Sequence, residues 1–230
     1  MKLVYGPVSS WRLGRSLGVD PICMEPKVCS LNCVYCQLGN GGFLTTRKSE
    51  FVKAHLLRSE LGQMKREADY VTFSGTGEPM LASNLGELAR TVRNCTSAKV
   101  AILTNACHLC DPGAIESLED FHMVMAKLDA ANENTFCRVN RPVGHITLSR
   151  VLQGLEKLSG EYRGDFRMQL MFLEENQHEA EEMAEICRSL EPDLVYINTP
   201  LRPCMASPLS SKRIKEIEAL FHGMKTECVY

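Results

Sequence analysis

Apolar residues along this chain fall into two alternating rhythms. Six short runs read as strands: Leu17–Ile22, Tyr70–Ser74, Val100–Thr104, Met123–Leu128, Phe166–Phe172 and Leu194–Asn198. Several are rich in Val, Ile, Phe or Tyr and close on Gly, Asn, Asp or Pro. Between them the spacing turns helical. Leu57, Leu61, Met64 and Ala68 form an i, i+4, i+7, i+11 stripe behind a candidate N-cap at Ser49. Leu85, Leu88, Ala89 and Val92 repeat it more briefly. Asp111-Pro112 reads as a helix start, a capping carboxylate followed by proline at the first helical position. Thr147 or Ser149 opens a stripe through Val151, Leu152, Leu155 and Leu158. Two more follow, on Met183, Ala184, Cys187 and Leu190, and on Ile214, Ile217, Leu220 and Phe221 behind Ser210 and Ser211.

Six alternations of strand and helix predict βαβ units, a parallel sheet and an α/β fold. No glycine-rich dinucleotide fingerprint follows the first strand. Six units are too few for a closed eight-fold barrel and suit a partial (β/α)6 barrel with outer helices. In either parallel architecture the chemistry belongs at the C-terminal ends of the strands. No linker, repeat or block of like charge divides the chain, so residues 1–230 read as one domain. Its core spans about 5–221, with a tail over 222–230 expected to be disordered.

Composition changes this picture in one respect. The chain of 230 residues carries a formal charge of −2, which argues against a strongly basic nucleic-acid binder but leaves room for a local basic patch. No apolar run approaches the roughly 18 residues that span a bilayer, and no signal-peptide pattern opens the sequence, so the expected setting is the cytoplasm. The outlier is cysteine, with 11 residues. That share lies below the roughly 8–10% of disulfide scaffolds, and thiols in a reducing compartment act as ligands, catalysts or buried fillers.

Three of them cluster in Cys29-Ser-Leu-Asn-Cys33-Val-Tyr-Cys36, a C-x3-C-x2-C run after the first strand. Structural zinc prefers four protein ligands and paired knuckles, and a cubane iron–sulfur cluster normally takes four thiolates. Three thiolates at this spacing leave one iron open, which is a catalytic arrangement. The run resembles the signature of the radical S-adenosylmethionine (SAM) superfamily, C-x3-C-x-aromatic-C, with Tyr35 as the aromatic residue. The resemblance implies a [4Fe-4S] cluster on Cys29, Cys33 and Cys36 whose open iron chelates SAM. One-electron reduction then releases a 5′-deoxyadenosyl radical that takes hydrogen from a substrate, as oxidoreductase or lyase chemistry. An external reductant of the flavodoxin or ferredoxin type is implied as partner.

Other strand ends carry polar groups where this model needs them. Ser74-Gly75-Thr76-Gly77-Glu78-Pro79 lets backbone approach a ligand closely and sets a carboxylate beside it. It resembles the superfamily's G-G-E-P motif, which grips the SAM amino group, with Thr76 in place of a glycine. Thr104 and Asn105 suit ribose or carboxylate oxygens. Lys127 and Asp129 share one side of their strand, as a structural ion pair or as substrate contacts. Gln169 interrupts an apolar run and is expected to face the barrel interior, and Asn198 ends the sixth strand. Arg138, Arg141 and Arg202 are candidates to hold a phosphate or carboxylate at the barrel mouth, with Arg12, Arg15 and Lys27 extending that surface. Solvated charge is the plain alternative.

The likeness reaches further along the chain. Tyr5-Gly6-Pro7-Val8, Arg12 through Asp20, Gln37-Leu38-Gly39, Phe136 through Pro142, and Asn198 through Pro203 are together similar to a compact radical SAM group related to the wyosine-forming tRNA enzymes (4-demethylwyosine synthases). Those enzymes build a tricyclic guanosine from N1-methylguanosine and pyruvate and carry a second cluster on an added N-terminal cysteine set, which does not precede Cys23 here. Cys107 and Cys110 form a separate C-x2-C. With Cys23, Cys137 or Cys204 it is a candidate for an auxiliary metal, against packing thiols as the alternative. Three functions are therefore carried forward: a radical SAM enzyme modifying RNA, one acting on a small molecule or peptide, and a non-catalytic metal-binding or electron-transfer protein. A monomer or weak dimer is expected.

Overall fold

The computed structural model describes residues 2–63 and 67–230. An antiparallel hairpin, β1 (Val4–Ser10) and β2 (Gly14–Val19), opens the fold around a turn at Trp11–Leu13. β3 (Val28–Cys29) and β4 (Phe43–Leu44) pair in a separate two-stranded sheet inside the long segment that follows. From β2 the main sheet then runs parallel and in chain order through β5 (Tyr70–Phe73), β6 (Lys99–Thr104), β7 (Met123–Lys127), β8 (Asp165–Met171), β9 (Leu194–Asn198) and β10 (Thr226–Cys228). Sequential parallel neighbours send every crossover to the same side, so the sheet curls and the helices collect outside it. The result is the expected partial barrel.

Both faces of this sheet are covered, which explains the near-continuous apolar runs of its strands. The outward row includes Val71, Phe73, Val100, Ile102, Val124, Ala126, Met168, Leu170, Val195 and Ile197, buried in the main core. Against it lie α1 (Ala54–Gln63), α2 (Leu85–Cys95), α3 (Glu133–Val139), α4 (Leu148–Glu161), α5 (Ala180–Leu190) and α6 (Ser211–Glu218). The inward row alternates with the outward one, as the strand period requires. Leu13, Ala101, Met123, Met125 and Tyr196 form a second, smaller cluster inside the curl.

All six expected strands form, and their limits are informative. Leu17–Ile22 stops at Val19 because the Asp20 carboxylate turns the chain, accepting from the Ile22 and Cys23 N–H groups at 3.1 and 2.9 Å. Thr147 and Ser210 cap α4 and α6, accepting from the N–H groups of Arg150 and Arg213. Leu57 and Leu61 are buried on α1, whereas Met64 lies outside the described residues.

Three expectations are corrected. Ser49 does not cap α1, which begins at Ala54; it bridges to Ala82 instead. Asp111-Pro112 opens turns and a short 3-10 segment at Glu116–Leu118, because Gly113 takes a φ of +71° and the carboxylate is engaged elsewhere. The tail is ordered, since β10 pairs with β9 through Thr226, Glu227 and Cys228. The segment Phe136–Pro142 begins inside α3, which makes about two turns and is capped by Asn132.

Asp111 is a clamp rather than a cap. It accepts from Arg150 Nη2 at 2.7 Å and His108 Nδ1 at 3.0 Å, with Lys48 Nζ at 3.2 Å. Burial opposes ionisation there, but the bonds from His108 and Arg150 outweigh it and hold the carboxyl below its ordinary value. Asp111→Ala should therefore destabilise the fold at pH 7 by about 1–3 kcal/mol. A depressed carboxyl stabilises fully above the unfolded value of about 3.9 and loses that contribution as pH falls through the folded value. Denaturant melts should thus show the gap between variant and parent closing in acid; a gap that stays constant below pH 4 would contradict this role.

Candidate active site

The loop bearing the three cysteines leaves the C-terminal end of β2 and is pinned by its backbone on both sides. Val28 N donates to Thr76 O and Val28 O accepts from Glu78 N, both at 3.0 Å, forming a bridge across Gly77. The approach is so close that a Cβ on Gly77 would lie 1.8 Å from Val28 O. On the far side Asn32 N and Val34 N donate to Asn140 O and Val139 O, where α3 ends. Lys27, itself buried, closes the loop by donating from Nζ to Gly39 O and Asn32 Oδ1. Successive turns from Cys33 O to Cys36 N and from Cys36 O to Gly39 N shape its tip.

Two side-chain amides reach the sulfurs. Asn105 Nδ2, at the end of β6, lies 3.7 Å from Cys29 Sγ and donates to Ser30 Oγ at 3.0 Å. Asn140 Nδ2 lies 3.5 Å from Cys33 Sγ and donates to Asp129 Oδ2 at 2.9 Å. Burial, with Glu78 nearby, pushes the Cys29 thiol up to about 12, and burial raises Cys33 as well. Burial of this kind favours the neutral thiols, and a nearby cation would favour the thiolates. Among the described residues no three Cys, His, Asp or Glu side chains converge tightly enough for a single metal ion. Three thiols thus lie around one short loop, with amide donors directed at two of them.

The G-T-G-E segment acts mainly as a brace. Glu78 is buried and accepts three bonds: from Met80 N at 3.0 Å, from Thr104 Oγ1 at 2.7 Å and from Asn105 N at 2.7 Å. It joins the ends of β5 and β6 with both carboxylate oxygens engaged. Burial raises its pKa even against these donors. Thr76, where the family motif has glycine, donates from Oγ1 to Asp20 Oδ2 at 2.7 Å and accepts from Met24 N at 3.1 Å. Gly75, at φ +132°, lies against the same carboxylate, and a Cβ there would fall 2.3 Å from Asp20 Cγ. Asp20 thus ties the end of β2 to this segment.

A second network holds Tyr35 over the barrel. Its hydroxyl donates to Asp129 Oδ2 and accepts from Lys127 Nζ at 2.8 Å, while that ammonium sits 4.1 Å from the ring centroid. Lys127 and Asp129 do pair, at 3.9 Å, but the shared partner is the cysteine loop. Asp129 is 4% exposed, and its other oxygen accepts from Met171 N at 3.0 Å. Burial, then the neighbouring Asp129, raise Tyr35 well above ordinary phenol values, so it stays a proton donor.

The remaining candidates divide. Gln169 faces the interior as expected, where Arg12 Nη1 donates to its Oε1. Asn198 accepts from Thr199 N through its own side chain at 2.9 Å. Arg138, Arg141 and Arg202 do not converge. Arg138 lies on α3 and donates to Glu175 O at 3.0 Å, Arg202 donates to Gln37 Oε1, and Arg141 follows α3 at a φ of +48°. The thiols of Cys107 and Cys110 point to different carbonyls, those of Asn105 and Arg150. Sequence reasoning missed Asp20 and Asn140. Asp20 had a visible signal, a carboxylate directly after an apolar strand; Asn140 had none beyond its place in a resembling segment.

Gly77→Ala should destabilise the protein by more than about 2 kcal/mol, because the loop must separate from the strand ends. Gly41→Ala, where no atom lies within 4 Å of the added Cβ but φ is +83°, should cost less. Thermal melts of the two variants compare close approach with backbone strain; equal losses would remove the case for docking at Gly77.

Comparisons with known proteins agree with this geometry. The family model described as the radical SAM superfamily matches residues 26–187. A UPF0026 protein from Synechocystis sp. is 39% identical over 202 residues, covering 87% of this chain and 76% of that one. The solved structure of TYW1 with a lysine-pyruvate adduct bound overlays with a TM-score of 0.67 at 14% identity, covering 93% of this chain and 76% of that one. Streptococcus suis SuiB bound to precursor peptide SuiA overlays with a TM-score of 0.69 at 15% identity over 89% of this chain. The chain spans about half the length of SuiB, 47% of it, so that likeness concerns the barrel alone. With a matching family model across most of its barrel and a close UPF0026 relative, the chain belongs to the radical SAM superfamily.

Proposed function

We propose that Cys29, Cys33 and Cys36 hold a [4Fe-4S] cluster at the mouth of the half-barrel, and that the chain uses it with SAM to start a radical reaction on a molecule inside the barrel. Held there and reduced by one electron from an external donor, such a cluster would supply reductive cleavage of the sulfonium C–S bond of SAM. The observation that carries the reading is the docking of the three-cysteine loop across Gly77, with Asn105 and Asn140 donating toward its sulfurs. Such donors stabilise charge on thiolate ligands and orient them.

The protein's own part is positioning and shielding. Gly75 and Gly77 bring backbone to the site without side-chain bulk, and Glu78 keeps the ends of β5 and β6 together beneath it. Tyr35, held by Asp129 and Lys127, shields the interior side of the loop. Apolar Met123, Met125 and Tyr196 line the barrel below and keep it dry. A one-electron donor of the flavodoxin or ferredoxin type would reach the cluster from outside.

A small molecule or peptide segment is the favoured substrate class. The sequence resemblance to the wyosine-forming tRNA enzymes supports RNA, but the surface arginines expected to bind phosphates are dispersed, two of them engaged by Glu175 O and Gln37. The formal charge of −2 points the same way.

Anaerobic reconstitution should load about four irons per chain, and dithionite with SAM should yield 5′-deoxyadenosine and methionine. Replacing all three cysteines by Ala should abolish both. An intact cluster that binds SAM without cleaving it under strong reductant would sink the enzyme reading. Filter binding to total tRNA across a salt series tests the substrate class: weak binding is expected, and submicromolar binding with a steep slope of log K on log salt would return RNA to first place.

A further inference from the structure

The turn between β1 and β2 closes the base of the barrel, at the opposite end from the cysteine loop. Leu13 packs into the inner cluster with Met123, Met125 and Tyr196, and the Trp11 ring meets Tyr196 edge-on, 5.4 Å between centroids. Tyr196 also donates from its hydroxyl to Arg12 O at 3.2 Å. Arg167 donates to the same hydroxyl at 2.6 Å, and a second guanidinium, that of Arg12, leaves this plug. The Arg12 side chain runs up from it into the barrel and meets Gln169, whose register neighbour across the sheet is Lys127. Since Lys127 touches Tyr35 of the cysteine loop, Arg12 lies on the floor of the space that the loop roofs.

Its bonding is incomplete for so deep a charge. A guanidinium offers five N–H donors, and Arg12 gives one to the neutral Gln169 carbonyl. Nε is buried without any partner. Among the described residues no carboxylate forms an ion pair with Arg12. The acids on the neighbouring strand ends are engaged elsewhere: Asp165 is bidentate with Arg167, and both oxygens of Asp129 accept bonds. Arg202 adds further positive potential, and burial already lowers the Arg12 pKa, yet a guanidinium remains charged. Arg12 is half-buried with its Nε shielded from solvent, and a partly desolvated cation without a counter-ion is costly to fold around. It is a recognition element when a ligand completes it.

We infer that Arg12 is the anion-binding residue of the substrate cavity, taking a terminal carboxylate or phosphate monoester of the molecule that enters the barrel. The planar fork of a guanidinium matches either oxoanion through two parallel bonds. A terminal anion suits a site at the bottom of a half-barrel, whereas the phosphodiester chain of an RNA would pass across the mouth. This names the substrate class for the radical chemistry proposed above and rests on that reading. Anchored at the floor, such a molecule would present its other end to the SAM side of the barrel.

The chain carries its own reporter, because Trp11 is its single tryptophan and the Arg12 guanidinium carbon lies 5.5 Å from that ring. The test is a titration of Trp11 emission on the full chain with sodium phosphate and, separately, with sodium propionate, at constant ionic strength balanced with chloride. At least one probe should give a saturable change; phosphate alone assigns a phosphate monoester, propionate alone a carboxylate. Arg12→Gln should weaken the saturating probe at least tenfold, and Arg12→Lys should retain part of its affinity. Gln169→Glu places a carboxylate against the guanidinium, so it should abolish probe binding while keeping or raising the melting temperature. That variant decides the matter if Arg12→Gln does not fold. Absence of a saturable change with both probes, or saturation of Gln169→Glu like the parent, overturns the inference. The titration needs no iron, so failure of SAM cleavage alongside intact anion binding would fall on the enzyme reading alone.

Discussion

The contact between the backbone of Val28 and Gly77 is the constraint from which the rest of the site follows. It joins a loop that has almost no regular structure of its own to the rigid ends of β5 and β6. Two hydrogen bonds of 3.0 Å would be modest on their own. They matter because both partners are already held: Glu78 is tied to Thr104 and Asn105, and Thr76 to Asp20. A loop with three soft ligands thereby inherits the stiffness of a parallel sheet. Precision at such a centre comes from supports of this kind rather than from the ligands themselves.

Polar groups around the mouth serve two distinct ends. Glu78, Asp129 and Asp20 are acidic, buried and fully engaged, and each binds a segment of the loop to a strand end. The basic groups are less complete. Lys127 contacts Tyr35 and Asp129 yet keeps 22% of its side chain exposed, and the Arg12 guanidinium gives one hydrogen bond, to neutral Gln169, and lies over the Trp11 ring. The acids are thus saturated with hydrogen bonds inside the framework, while the basic groups are not. In a low-dielectric interior that asymmetry favours anions entering over cations.

Much of the fold was legible in the sequence because its signals are local. Six strands buried on both faces read as apolar runs, and helices capped by Thr147 and Ser210 read from their first turns. The errors came where a residue type served two physical ends. Asp111 before a proline has the form of a helix cap, but its carboxylate is drawn to Arg150 and His108, 39 and 3 residues away in sequence. β10 is only three residues long and gains its hydrogen bonds from β9, so no pattern of its own marks it. The surface arginines were grouped by nearness to motifs, and the structure disperses them.

Sequence alone determined the parts of the proposed centre: three thiols at this spacing, an aromatic residue among them and a glycine-rich turn after the second parallel strand. These are local facts, set by what a short loop can present to a metal. Tertiary structure decided what each neighbour does. Thr76 and Glu78 became braces, Asn140 came to Cys33 from 107 residues away, and Arg12 crossed the barrel to Gln169 from 157. Contacts across that distance depend on the curl of the sheet and on which side of a strand a residue falls, and neither is written in the spacing of the residues themselves.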